Sequence, residues 1–74
     1  LYEVRTNVAA AMADEAKLEQ RRISSQAETT QWSMKAEAAL RANDEELARA
    51  ALGRKVQAQK LAEQYAEQEQ AQEQ

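Results

Sequence analysis

The sequence contains no cysteine, histidine, proline or phenylalanine, and it has a single glycine. Without cysteine the chain forms no disulfide and carries no thiolate nucleophile, and it gives no information about its redox compartment. Without histidine it lacks a residue type that most metal sites and most nucleophile–base pairs require. The Glu-x-x-His motif of di-metal carboxylate bundles is missing for the same reason. We therefore expect no enzymatic activity, no metal and no cofactor.

Long apolar runs and an excess of positive charge are also missing. No apolar run approaches the roughly 20 residues that a membrane span needs, and no signal peptide is visible. The net charge of −3 and the pI of about 4.9 argue against general nucleic-acid binding, which needs a cationic surface. The same charge argues against docking on anionic lipid by charge alone. Because the chain opens in helical sequence with Leu1, we expect it to be a piece of a longer protein.

Alanine dominates what is present. It supplies 17 of the 32 hydrophobic residues, whereas leucine, isoleucine and valine together number ten. A chain of 74 residues with so few large apolar side chains cannot fill a wide core. Alanine has the highest intrinsic helix propensity, and its small side chain allows two helices to approach closely. The composition therefore favours two long helices packed through a narrow seam.

A reversal is predicted at the step Asn43-Asp44-Glu45-Glu46. Asn43 suits an N-cap, Glu46 could complete a capping box with it, and Asp44 adds acid at the positive end of the new helix. Helix-forming sequence on both sides then predicts an all-α fold, a long antiparallel coiled-coil hairpin. The expected bounds are one unit over 1–74, helix 1 at about 1–42, a short turn near 42–45 and helix 2 at about 44–74.

Two different periodicities could define which residues of the first helix face the second helix. Leu1, Met12, Ile23 and Met34 recur at intervals of eleven, which favours a nearly straight stripe. A heptad alternative is supported by small and apolar residues but is interrupted by Glu15 and Arg22. We expect a mixed period with weak supercoiling. The residues of the heptad alternative are Val4, Val8, Ala11, Leu18, Trp32, Ala36 and Ala39.

Folding the arms about position 43.5 pairs residues whose numbers sum to about 87. The predicted pairs are Leu40 with Leu47, Ala36 with Ala51, Thr29 with Ala58 and Gln26 with Leu61, and Leu52 widens the stripe of the second helix. Trp32 is expected over Arg54 and Lys55, with a cation–π contribution. Its alternative role is an exposed hot spot for a partner. Gly53 either admits a bulky neighbour, Met34 or Trp32, or marks a bend.

Partner contacts are expected where the arms are unequal. The first helix is about 63 Å long and the second about 45 Å, so residues 1 to about 12 overhang with Leu1, Val4 and Val8 on one stripe. Either the second helix continues in the parent protein or another chain covers this stripe. The doublet Arg21-Arg22 is a possible contact for an acidic partner or a lipid head group, or simply a solvated face.

Two stretches resemble the hairpin tip of the phage shock protein A family. They are W-S-M-K-A-E-A-A-L at 32–40 and E-E-L-A-R-A-A-L-G-R-K at 45–55. The similarity runs without gaps through nearly all 74 residues, and it is most specific in these central stretches. The family includes the vesicle-inducing protein of plastids and cyanobacteria and is related to the ESCRT-III proteins.

The resemblance implies the hairpin of a membrane-stress scaffold that self-assembles on bilayers. It implies a cytoplasmic protein peripheral to the inner or thylakoid membrane, which it reaches through segments outside this chain. A second hypothesis is a regulatory module that sequesters an AAA+ transcriptional activator, as enterobacterial relatives do. A third is a generic antiparallel coiled coil from an unrelated protein. The resemblance assigns structural roles at the tip and no catalysis.

Overall fold

The structure, a computed structural model, describes the backbone of residues 2–73 and the side chains of residues 8–71. It contains two α-helices, α1 (Tyr2–Arg41) and α2 (Glu45–Glu73), which are joined by a three-residue link. The helices pack against each other as a hairpin that measures 63 × 15 × 12 Å. The predicted all-α helical hairpin is confirmed, and residues 2–73 contain no strand.

Helix α1 ends in a Schellman motif. The Asp44 N–H donates to the Ala39 carbonyl at 2.9 Å, and the Asn43 N–H donates to the Leu40 carbonyl at 3.1 Å. This pattern requires a left-handed residue after the helix, and Asn43 provides it with φ of 58°. Asparagine tolerates this region better than most residues do. Asn43 therefore terminates α1, and its predicted role as the N-cap of the second helix is wrong.

Asp44 is the N-cap of α2. Its carboxylate Oδ1 accepts from the Leu47 N–H at 3.1 Å, and its carbonyl accepts the first helical bond from the Ala48 N–H at 3.0 Å. The third helical position is Leu47, so the capping box predicted with Glu46 does not form. Glu45 and Glu46 still lie in the first turn, where negative charge is favourable.

The seam between the helices follows a strict heptad pattern. Every buried residue in the part described with side chains lies at steps of three and four along its helix, and six half-buried residues complete the pattern. Residues whose numbers sum to 87 occupy matching positions, as the predicted register requires. The seam consists of Leu18, Arg22, Ser25, Thr29, Trp32, Ala36 and Ala39 on α1, and of Ala48, Ala51, Lys55, Ala58, Ala62, Tyr65 and Glu69 on α2.

The predicted eleven-residue stripe is not the seam. Met12, Ile23 and Met34 are all exposed, and Met34 reaches 64%. The seven-residue repeat is the pattern of a left-handed coiled coil, so the expectation of a mixed period was wrong. The largest apolar side chains suggested that stripe, whereas the contact is made mainly by alanine.

At the tip, too, alanine side chains occupy the seam positions that were predicted for leucines. Leu40 and Leu47, predicted to face each other, are 58% and 52% exposed, whereas Ala39 and Ala48 are buried in their place. Leu52 is also exposed. The predicted pair of Ala36 with Ala51 is buried at matching positions, and Ala58 lies in the seam as expected. At the predicted position of Gln26 and Leu61, the seam holds Ser25 and Ala62 instead.

Candidate interaction surface

The hairpin has its large apolar side chains on the outside. Its buried side chains are six alanines, one leucine and one serine. Exposed apolar groups on a thin rod leave area that another molecule can cover. The exposed large apolar residues are Val8, Met12, Ile23, Met34, Leu40, Leu47, Leu52, Val56 and Leu61.

The seam divides the sides of the rod into two broad faces. On the first, which we call the Trp32 face, Trp32 separates two shallow grooves. The groove nearer the tip has a volume of about 260 Å³ and is lined by Lys35, Ala38 and Leu47 among others. The second groove continues along the same face and is lined by Leu61 among others. The groove nearer the tip is largely apolar, whereas charged and polar residues, among them Glu28 and Arg54, also line the second groove.

The opposite side is called the Leu52 face. Gln26, Gln59, Glu63 and Ala66 flank a groove of about 310 Å³ there. Four exposed apolar residues lie on this same side, because each of them directly follows a seam residue in the sequence and the heptad pattern turns these positions to one side. They are Ile23, Leu40, Leu52 and Val56. Both faces thus carry exposed leucines close to the tip.

Trp32 is half-buried at the seam, opposite the half-buried Lys55. The Lys35 Nζ lies 4.5 Å from the centroid of the indole ring. Arg54 lines the groove beside the ring, as the predicted position of Trp32 requires. The cation over the ring comes from the same helix, however, and not from Arg54 or Lys55. Trp32 thus contributes to the seam and to the surface of its face.

Arg22 is occupied within the hairpin. Its Nε lies 3.2 Å and 3.3 Å from the two carboxylate oxygens of Glu69, and its Nη1 lies 3.2 Å from Gln26 Oε1. Its Nη2 is 3.9 Å from Glu19. Arg22 therefore belongs to the seam instead of interrupting it, and its predicted role as a partner contact is not supported. Arg21, the other half of the doublet, is exposed.

Helix α1 extends beyond α2 at the open end. When residues are paired so that their numbers sum to 87, Glu73 lies beside residue 14, so within residues 2–73 no residue of α2 lies beside the part of α1 before residue 14. Val8 is 53% exposed there, and Met12 is exposed as well. Of the other predicted overhang residues, Leu1 and the side chain of Val4 lie outside the described residues.

Gly53 faces open space. A Cβ built at this position meets no atom within 4 Å. Neither of the predicted bulky neighbours, Met34 or Trp32, therefore approaches it, and α2 continues through it as regular helix.

Two searches of residues 2–73 gave negative results. None of the described acidic side chains cluster in a way that could hold a metal ion. Neither helix is long and apolar enough to cross a membrane.

The sequence interpretation missed Glu69 and the small seam residues Ser25, Ala48 and Ala62. A usable signal was present. Alternating steps of three and four from Ala48 reach Ala51, and further steps reach Ala62 and finally Glu69. Continuing the heptad through Arg22 on the first helix would have placed two opposite charges at the same end of the seam.

A sequence model of the PspA/IM30 family matches residues 1–74. The family resemblance that the central stretches indicated is confirmed by this match over the whole chain. No curated protein and no solved structure shows a significant match.

Proposed function

Since this chain belongs to the PspA/IM30 family, a family of membrane-stress scaffolds, we propose that it is the structural hairpin through which such a scaffold self-assembles on bilayers. In this proposal the hairpin acts as a rigid structural element that presents binding surfaces to neighbouring subunits and catalyses no reaction. We further propose that segments outside these 74 residues make the membrane contact, on the cytoplasmic side of an inner or thylakoid membrane.

The observation that supports this proposal is the inverted distribution of apolar side chains. The contact between the helices uses mainly alanine, whereas the leucines near the tip lie exposed, as do Val8 and Met12 in the described part of the overhang. A hairpin that only had to fold would gain stability by turning its leucines inward, at about 1.5–3 kcal/mol for each large side chain fully buried. Outward placement keeps that free energy available for association.

The overhang provides the test. In a variant with Leu1→Ser, Val4→Ser and Val8→Ser, the tip should stay folded and association should weaken. Sedimentation equilibrium over a range of concentrations measures the association, and circular dichroism checks the helices. Met34→Ser is the matched control, because it removes an exposed apolar side chain away from the overhang. Unchanged association of the triple variant, or a wild-type chain that stays monomeric at every concentration, would contradict the proposal.

A second candidate is a regulatory module that sequesters an AAA+ activator. It is favoured by the groove beside Trp32, which combines an amphipathic aromatic anchor with exposed Leu47. Trp32→Ala should abolish capture of a purified AAA+ activator domain, whereas Leu52→Ala on the opposite face should not. Equal capture by both variants, with helical content intact, would reject this candidate.

A further inference from the structure

The contacts of the seam could equally be made between two copies of this chain. Most seam positions hold alanine or another small residue, so α1 meets similar side chains whether α2 belongs to the same chain or to a second one. If the helices separated and paired with those of a second copy, every pair whose numbers sum to 87 could form again. Exchange of an identical element between copies is a ready route to dimers.

The link between the helices also favours opening. It has three residues, and short hinges promote exchange. Asn43 is held in the left-handed region with φ of 58°, and it would leave this region if the link became helical. Residues 40–47 contain no proline and no glycine, so their sequence allows a helix to run through the link. Judged from the link alone, α1 and α2 could form one continuous helix.

The phase of the seam opposes this opening. Along α1 the seam positions alternate by steps of three and four, and the last step, from Ala36 to Ala39, is a step of three. An unbroken pattern would continue with positions 43, 46 and 50. The seam of α2 instead begins at Ala48, nine residues after Ala39. At about 100° per residue, nine residues turn by about 900°, which places the two seams on opposite sides of a continuous helix.

Seams on opposite sides prevent two opened chains from forming both contacts. When two straight helices lie antiparallel, α1 of the first copy can face α2 of the second along one half of their length. Along the other half, α2 of the first copy and α1 of the second turn their seams away from each other, and the buried Leu18 becomes exposed. The exchanged dimer therefore buries one seam, whereas two closed hairpins bury two.

We infer that the offset of nine residues between Ala39 and Ala48 is a conformational lock that keeps each copy closed. In the scaffold proposed above, assembly concentrates the copies, and pairing between chains then competes most strongly with closure. The lock lets copies associate through their outer surfaces while each hairpin keeps its own α2. It acts within one chain, so it goes beyond the proposed self-assembly and does not depend on it.

A link that opens without becoming helical is disfavoured for a different reason. In the closed hairpin the N–H groups of Asp44 and Asn43 donate to the carbonyls of Ala39 and Leu40. Straightening the link breaks both bonds, and only a helical link replaces them with helical bonds. A non-helical link could bring the two seams to one side, but it would leave these carbonyls without a partner in the chain. The turn and the phase of the seam thus oppose the two routes of exchange separately.

Insertion of two alanines between Asn43 and Asp44 should release the lock. The α2 seam then begins eleven residues after Ala39, about 20° from three full turns, so both seams lie on one side of a continuous helix. Positions 43, 46 and 50 of the unbroken pattern are then occupied by Asn43, Asp44 and Ala48. In the exchanged dimer, Asn43 of one copy lies opposite Asp44 of the other, and an amide can donate to a carboxylate. We expect this variant to form an exchanged dimer as its concentration rises.

Two spin labels distinguish the closed form from the exchanged form. Ala27 and Lys60 are exposed and their numbers sum to 87, and the chain contains no cysteine, so Ala27→Cys and Lys60→Cys create two unique labelling sites. In the closed hairpin these residues lie across a rod that is 12–15 Å thick. In a continuous helix they lie about 50 Å apart. Labelled protein is unfolded and refolded with an excess of the same unlabelled variant, so that double electron–electron resonance measures distances within one chain.

The matched control inserts four alanines at the same point. Its link is longer and equally helix-forming, but the α2 seam begins thirteen residues after Ala39 and stays about 140° away from the α1 seam. We expect the short distance for the wild type and the control at every concentration. The two-alanine variant should change to the long distance at high concentration, with the mass of a dimer in sedimentation equilibrium. Circular dichroism checks that all three proteins are helical.

Three results would overturn the lock. They are the long distance in the wild type, a two-alanine variant that stays closed at every concentration, and a four-alanine control that exchanges as readily as the two-alanine variant. Failure of the proposed function has a different signature. A wild-type chain that stays monomeric at every concentration and keeps the short distance would reject self-assembly while supporting the lock.

Discussion

Arg22 on α1 and Glu69 on α2 meet across the seam at the open end of the hairpin, with the guanidinium Nε within 3.3 Å of both carboxylate oxygens. Their side chains are 26% and 22% exposed, far less than those of the pairs Glu37 with Arg41 and Glu45 with Arg49, which are all at least 68% exposed. Asn43 fixes the opposite end through the Schellman motif. Between these two ends most seam positions are small and similar, so they discriminate poorly between registers. The polar pair and the turn therefore set the register together.

Removing either member of the pair should destabilise the hairpin. We expect a coupling free energy of about 1 kcal/mol between Arg22→Ala and Glu69→Ala, because the pair is charge-assisted and partly withdrawn from solvent. Urea unfolding followed by circular dichroism, applied to both single variants and the double variant, gives this value. The exposed pair of Glu45 with Arg49 is the control and should couple by less than about 0.5 kcal/mol. Equal coupling in the two pairs would mean that the seam position adds nothing.

The turn offers a second prediction through Asn43. Its φ of 58° is costly for a residue with a Cβ and no local polar partner, so Asn43→Ala should destabilise the hairpin by about 1 kcal/mol. Asn43→Gly should be close to neutral, because glycine adopts this conformation readily. Thermal unfolding of the three proteins orders their stabilities. If alanine were tolerated as well as glycine, the left-handed residue would not limit the turn.

The outline of the fold could be predicted because the strongest signals are local. A proline-free chain rich in alanine predicts helices, and the polar step at Asn43 and Asp44 locates the reversal within a residue or two. The role of Asn43 was assigned wrongly because asparagine suits an N-cap and a left-handed C-terminal position equally well. Only the hydrogen bonds to Ala39 and Leu40 decide between the two.

The side chains that form the seam were harder to predict for a physical reason. Hydrophobic periodicity is found from the largest apolar residues, and here residues such as Met34 and Leu40 lie outside. With 17 alanines in the chain, several stripes of alanine fit equally well. Arg22 made the correct heptad look broken, because its partner Glu69 lies 47 residues away. The pairing of numbers near 87 could still be predicted, since it depends only on the position of the turn.

Gly53 gives a third prediction. It lies inside α2 with nothing near the position of a Cβ, so Gly53→Ala should stabilise the hairpin by about 1 kcal/mol through helix propensity alone. Ala27→Gly, an exposed position on α1, should lower stability by a similar amount and calibrates the effect. Denaturant unfolding measures both changes. A neutral or destabilising Gly53→Ala would indicate that the glycine is needed for a bend.

The last prediction concerns the different effects on stability of changing a buried alanine of the seam and an exposed leucine at the tip. Ala51 is 1% exposed, so Ala51→Leu should overpack the contact with α1 and destabilise the hairpin by about 1–3 kcal/mol. Leu47→Ala should change the stability of the dilute, monomeric hairpin by less than about 0.5 kcal/mol, because that side chain is half exposed to solvent at the surface. Unfolding measured at low protein concentration compares the two. If copies associate at high concentration as proposed, the wild type should gain stability there, and Leu47→Ala should lose that gain. A large loss of stability for Leu47→Ala in the dilute sample would mean that Leu47 packs in the seam. The tip would then lack the exposed leucine on which a partner-binding surface depends.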